Sequence, residues 1–156
     1  MVDPVPAPDA PAPPRLLSAI EQLFFGYRAF TDLPDRILER QGLGRVHHRI
    51  LYFVGRNPHI SVSGLLDILS VSKQAIHGPL KQLTALNLIA MQPGAADRRV
   101  KQLSLTPQGQ ALERELTGAQ TRHLQSVFDR AGPEAEAGWR AVMQQMTQTA
   151  QETSSK

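Results

Sequence analysis

The sequence predicts a mainly α fold with one small β-hairpin, an α+β plan in which a helix-turn-helix and the hairpin lie between long helices at the two ends. Three observations carry that expectation. Apolar residues recur at three- and four-residue spacing through most of the chain, period-two alternation is confined to about residues 88–105, and prolines and glycines mark the changes of pattern.

With 156 residues, 41% of them hydrophobic and 20% charged, the chain has the size and make-up of one globular domain with a real core. Six of the twelve prolines fall in the first fourteen residues, so residues 1–14 are expected to be a disordered Pro-rich arm ahead of a single domain over residues 15–156.

The elements follow in order. Leu16, Ile20, Leu23, Tyr27 and Phe30 give one apolar helix face. A short second segment is expected over Asp32 to Arg40, with Asp32 as N-cap, Pro34 in the first turn and Gln41-Gly42 ending it. A largely buried helix should run from about Val46 to Arg56, before the Asn57-Pro58 stop. Ser61 and Ser72 precede two apolar runs, Leu65 to Leu69 and Ile76 to Leu83, and can cap two closely joined helices. Leu88 to Met91, a turn through Pro93-Gly94, and Val100 to Leu105 read as a hairpin with a basic tip. Thr106-Pro107 opens a long helix through Leu112, Leu116, Ala119, Val127 and Phe128, and a last helix bears Trp139, Val142, Met143 and Met146.

Charge is unevenly placed along this plan. Residues 41–101 hold eight basic and two acidic residues, a net +6, whereas residues 1–40 carry −2 and residues 102–156 carry −1, within a total of +3. A basic centre between acidic flanks argues for a polyanionic partner touched by the middle of the chain.

Other chemistries lack their residues. With no cysteine, disulfides, zinc-thiolate sites and thiol redox sensing are excluded. There is no glycine-rich phosphate loop and no serine in a nucleophile elbow, and the adjacent His47 and His48 would point about 100° apart on a helix, a poor grip on one metal ion. No enzyme activity, metal or cofactor is therefore expected. No apolar run approaches a membrane span and no signal-peptide pattern opens the chain, so a cytoplasmic protein with no membrane contact is expected.

The segment from Ser61 to Leu112 closely resembles the winged helix-turn-helix of MarR-type transcription regulators. The capped helix pair, the Asp97-Arg98-Arg99 wing with its apolar strand, and the entry Leu105-Thr106-Pro107-Gln108-Gly109 carry the resemblance. It implies dimerisation helices over residues 15–45 and 107–156, and a winged DNA-binding lobe over residues 46–106. For the dimer, Leu16, Leu23, Phe24, Leu116, Val127, Trp139, Val142 and Met146 would supply apolar surface.

The residues fit that chemistry on their own terms. A helix entering the major groove presents its first turns to base edges, and Ser72, Lys73, Gln74, His77 and Lys81 occupy such positions. Gln74 can pair with adenine through two hydrogen bonds, and Lys73 can meet a guanine edge or a phosphate. Arg98 and Arg99, with Lys101 behind them, resemble wing residues that enter the adjacent minor groove, where a guanidinium sheds water cheaply. Asp97 would pair with one arginine to hold the wing.

Gly78-Pro79 departs from the family pattern of a polar or basic residue followed by an aliphatic one. Proline inside a helix costs about 3 kcal/mol and glycine about 1 kcal/mol more, so the helix is expected to kink or restart there. Asn87 stands where the family commonly has glycine, and asparagine tolerates the left-handed conformation needed.

The resemblance further implies a homodimeric repressor that binds a pseudo-palindromic double-stranded operator and is released by a small, anionic or aromatic effector. Phe24, Tyr27, Arg28, His47, His48 and Arg49 lie near the expected effector junction. The alternative is a winged-helix protein-interaction module whose DNA readout is weakened at Gly78-Pro79.

Overall fold

The computed structural model describes residues 11–154, so the first ten residues of the expected arm lie outside the described residues. Pro14, placed in that arm by the sequence, is already the first residue of a helix. The order is α1 (Pro14–Glu39), α2 (Arg45–Arg56), β1 (Ile60–Ser61), α3 (Val62–Leu69), α4 (Lys73–Ala85), β2 (Ile89–Pro93), β3 (Lys101–Leu105), α5 (Pro107–Ala131) and α6 (Pro133–Ser154). This is the mainly α plan with a small antiparallel sheet. Its strand order is β1-β3-β2, with Ile60 opposite Leu103 and Ile89 opposite Leu105.

The expected break at Asp32 does not occur: α1 runs unbroken through Pro34. Proline there removes one intrahelical bond. Its ring is fully buried beside Ile37 and Leu38, and that burial offsets the loss. The buried Thr31 hydroxyl donates to the Tyr27 carbonyl at 2.9 Å, which satisfies a buried polar group one turn before the proline. Asp32 is no cap; it pairs with Arg36 at 2.8 Å, one turn on.

Three helices end on a left-handed residue. At α1, Gly42 takes φ of +69° while Leu43 N–H donates to Leu38 O and Gly42 N–H to Glu39 O. The same left-handed end recurs at Ser70 after α3, φ +51°, and at Asn87 after α4, φ +57°. After α4, Leu88 N–H reaches back to Leu83 O and Asn87 N–H to Thr84 O. The ends of α1 and α4 are Schellman closures, whereas after α3 the Ser70 and Val71 amides both return to Leu66 O, and each arrangement satisfies orphan carbonyls of a helix end.

Helices α3 and α4 begin as the sequence implies. Ser61 Oγ accepts from Gly64 N–H at 3.0 Å and Ser72 Oγ from Ala75 N–H at 3.3 Å, with only residues 70–72 between the helices. Thr106 Oγ likewise accepts from Gly109 N–H at 3.0 Å at the start of α5.

Pro79 neither breaks nor restarts α4, which is one element from Lys73 to Ala85. Magnitudes explain why. Ile76, Leu80 and Leu83 are all buried on one face, each contributing about 1.5–3 kcal/mol, whereas interior Gly and Pro cost about 4 kcal/mol together. A restart would turn at least one of the three out of the core. Ala75, whose carbonyl loses its donor, is exposed, so water can serve it.

Helix α2 is less buried than expected. Ile50, Leu51 and Val54 form its buried face, and Tyr52 and Phe53 are half-buried. Ile50, Leu51 and Val54 join Leu38, Leu65, Leu83, Ile89, Leu103 and Leu116 in one core, and Phe53 packs against it. By contrast, α6 has no buried residue, and α1 has none before Thr31.

Candidate nucleic-acid interface

Burial of Ile76, Leu80 and Leu83 orients α4, and the opposite face presents Gln74, Gly78 and Lys81 to solvent. Lys73 is exposed in the first turn, and the Ser72 hydroxyl is engaged as the cap. His77 lies to one side of that face. With Leu80, Lys81, Thr84, Ala85 and Met91 it lines an open groove of about 400 Å³ between α4 and β2. The helix and the hairpin are therefore neighbours on one surface.

The hairpin is closed by Gly94 N–H donating to Val100 O at 2.7 Å and Val100 N–H donating to Asp97 O at 3.1 Å. A Cβ at Gly94 would stand 2.8 Å from the Asp97 carbonyl oxygen, so the turn requires glycine. Asp97 does pair with a wing arginine, and it is Arg99. One carboxylate oxygen accepts the Arg99 backbone N–H at 3.0 Å and Nε at 3.3 Å, and the other accepts Nη2 at 3.4 Å. The backbone bond and then the guanidinium hold the Asp97 carboxyl below its ordinary pKa. The Arg99 side chain nonetheless remains 92% exposed. Arg98 is exposed and makes no ion pair among the described residues, and exposed Lys101 lies opposite Pro93 at the base of the wing.

The six residues named for an effector do not converge on one pocket. Tyr27 and Arg49 meet, Arg49 Nη2 donating to Tyr27 Oη at 3.0 Å. The Arg28 guanidinium lies 5.8 Å from the Phe24 ring centre, on the outer face of α1. His47 turns the other way, toward α4, where its Nε2 is 2.9 Å from Gln82 Oε1. His48 is half-buried and held below its ordinary pKa, chiefly by that burial, with Glu113 opposing the shift.

Sequence reasoning missed Arg45, which joins this strip. Its Nε donates to Asp35 at 2.9 Å and its guanidinium lies 5.4 Å from the Tyr27 ring centre. A cavity of about 360 Å³ opens elsewhere, between the end of α2, β3 and the start of α5, lined by His59, Ser104, Gln110, Glu113 and Arg114 among others. None of the six named residues lines it.

Of the surface assigned to a dimer, Leu116 must be withdrawn: it is fully buried in the core of its own chain, because α5 turns that face toward α1 and α2. Leu16, Leu23, Phe24, Val127, Trp139, Val142 and Met146 are exposed. Among the described residues no helix is long and apolar enough to cross a membrane.

Comparison with known proteins places these features in context. A family model described as MarR family matches residues 41–100. The HTH-type transcriptional regulator PetP of Rhodobacter capsulatus is 41% identical over 132 residues, covering 85% of this chain and 80% of that protein. Among solved structures, the MarR family transcription regulator SP03579 superposes with a TM-score of 0.78 at 18% identity, over 91% of this chain and 94% of that one. Streptococcus pneumoniae FabT, crystallised in complex with DNA, gives a TM-score of 0.78 at 17% identity, over 88% of this chain and 96% of that one.

Proposed function

The chain belongs to the MarR family of transcription regulators, and from that premise we propose that it is a homodimeric, cytoplasmic repressor that binds double-stranded DNA and is released by a small ligand. The observation that carries the reading is the exposed Gln74, Gly78 and Lys81 face of α4 beside a wing that offers Arg98 and Arg99. Gln74 reads base edges, while Lys73, Lys81 and the wing arginines meet phosphates and the minor groove. Support also comes from FabT, a fold neighbour whose structure was determined with DNA.

The dimer reading rests on unpartnered apolar surface. Phe24 is 57% exposed and Val142 58%, and α1 and α6 carry most such residues at the ends of the chain. Exposed apolar residues gathered on two helices in this way support an interface there. Two copies of α4 then require a pseudo-palindromic operator with half-sites about one DNA turn apart. For the effector, the exposed Tyr27 hydroxyl and Arg49 guanidinium suit a carboxylate, and Phe24 suits a ring. Because α4 continues through Gly78-Pro79, nothing in that helix favours a protein-interaction module.

The test is a mobility shift on the promoter region adjoining the gene, at two salt concentrations and with small aromatic acids added, alongside sedimentation equilibrium. Retardation that weakens with salt, release by an aromatic acid, and a dimer mass support the reading. Absence of any shift at the lower salt, or a monomer mass, overturns it.

A further inference from the structure

The solvent face of α4 has a glycine at its centre. At about 100° per residue, Gly78 points about 170° from the mean direction of buried Ile76, Leu80 and Leu83, and Gln74 and Lys81 lie about 40° and about 60° from it on one flank, a turn before and a turn after. Glycine is the poorest helix former after proline, so its place in mid-helix asks for a reason. Packing supplies none, because a Cβ at Gly78 would meet no atom within 4 Å. Backbone conformation supplies none either, since Gly78 is not among the residues with positive φ. The remaining internal reason is Pro79, whose ring crowds the Cβ of a preceding helical residue.

We infer that Gly78 is a specificity-determining residue of the DNA interface: its missing side chain lets the α4 backbone approach the floor of the major groove, so that Gln74, one turn before it, reaches base edges. The inference rests on the DNA-binding reading above. A helix with its side chains is about as wide as the groove, near 10–12 Å against about 12 Å, so the residue facing the floor sets how deep the axis sits. Gln74 needs that depth. Its amide must reach adenine N6 and N7 together to discriminate, and a helix held out by a bulkier residue 78 leaves it at phosphate level.

The experiment uses duplexes enriched by the wild-type protein from a random pool, and a scrambled duplex of equal length. Wild type, Gly78→Ala, Pro79→Ala and the double variant are titrated on both, with thermal melting of each protein. Gly78→Ala is expected to lose about tenfold or more on the enriched duplex and nothing on the scrambled one. The double variant is expected to lose the same factor relative to Pro79→Ala, whose helix no longer crowds residue 78. Equal affinity of Gly78→Ala and wild type overturns the inference, as does equal affinity of the double variant and Pro79→Ala, which assigns the glycine to accommodating proline. Equal loss on both duplexes overturns it too. If Gly78→Ala fails to fold, the double variant against Pro79→Ala decides. A wild-type protein that retards neither duplex removes the DNA-binding reading itself, an outcome distinct from all the others.

Discussion

His47 on α2 and Gln82 on α4 are joined side chain to side chain, Nε2 to Oε1 at 2.9 Å, and each also holds the loop before α2. The Gly44 backbone N–H can only donate, so His47 Nδ1 accepts it at 3.0 Å and Nε2 carries the proton given to Gln82. Gln82 Nε2 in turn donates to the Gly42 carbonyl at 3.2 Å. The circuit ties the α1–α2 junction to α4. His47→Ala and Gln82→Ala should each destabilise the fold modestly, and a double-mutant cycle read by urea unfolding should give a coupling of about 0.5–1 kcal/mol. Strictly additive losses would show that the two side chains do not support one another.

Gly109 is fixed by close approach. A Cβ there would fall 1.9 Å from the Leu88 carbonyl oxygen, where β2 begins against the first turn of α5. Thr106 ties the same junction, its hydroxyl donating to the Asn87 carbonyl and its N–H to Leu88 O at 3.1 Å. The oxygen belongs to backbone, which cannot swing aside as a side chain would. Gly109→Ala should therefore cost about 3 kcal/mol or more, at the upper end of overpacking effects. Unfolding in urea measures it, and a loss below about 1 kcal/mol would mean that the strand and helix separate easily.

Features encoded by neighbours in sequence were legible, and features decided by distant partners were not. Ser61, Ser72 and Thr106 are caps because their hydroxyls meet amides three residues on, and Asn87 takes the left-handed end because its own backbone needs it. The wing was readable because Asp97 and Arg99 are two residues apart. Pro34 misled because its burial, set by tertiary packing, outweighs its local preference for a helix start. Two-residue β1 has no periodicity to read, and exists because Ile60 and Ser61 pair with Leu103 and Gln102. His47 was assigned to an effector site because nothing local reveals Gln82, thirty-five residues away.

The pH response of folding should include His48. Burial lowers its pKa in the folded state, more than Glu113 and Asp35 raise it. Above the ordinary histidine pKa both states hold it neutral and it has no effect on the balance. Below that value the unfolded chain takes the proton more readily, so stability is lost as pH falls from about 6.5 toward the lowered folded value. Melting temperature should drop more for wild type than for His48→Gln between about pH 8 and about pH 5.5. Equal drops would assign the acid response to other groups.

Leu23 tests the dimer. It is 48% exposed in one chain, so replacing it with lysine should change the melting of a monomer by no more than about 0.5 kcal/mol. In a dimer held through α1 the same ammonium would be buried unpaired, a cost of several kcal/mol. Sedimentation of Leu23→Lys should then show monomers with native circular dichroism. A persistent dimer would move the interface off this face of α1.

The wing should set salt dependence more than sequence preference. Arg98 has no ion pair among the described residues, whereas Arg99 shares its charge with Asp97, so the two are not equivalent. Each phosphate neutralised contributes about 0.9 to the slope of log affinity against log salt. Arg98→Ala should lower the slope by about that amount, with similar loss on every duplex. Arg99→Ala should weaken binding further than its own contact would, because it leaves the Asp97 carboxylate unopposed at the tip, ionised well below neutral pH and repelled by phosphate. Adding Asp97→Ala to Arg99→Ala should then recover part of the affinity, and exchanging both arginines for glutamate should abolish binding to all duplexes. Fluorescence anisotropy at several salt concentrations measures each slope, and unchanged binding of the double charge exchange would remove the wing from the interface.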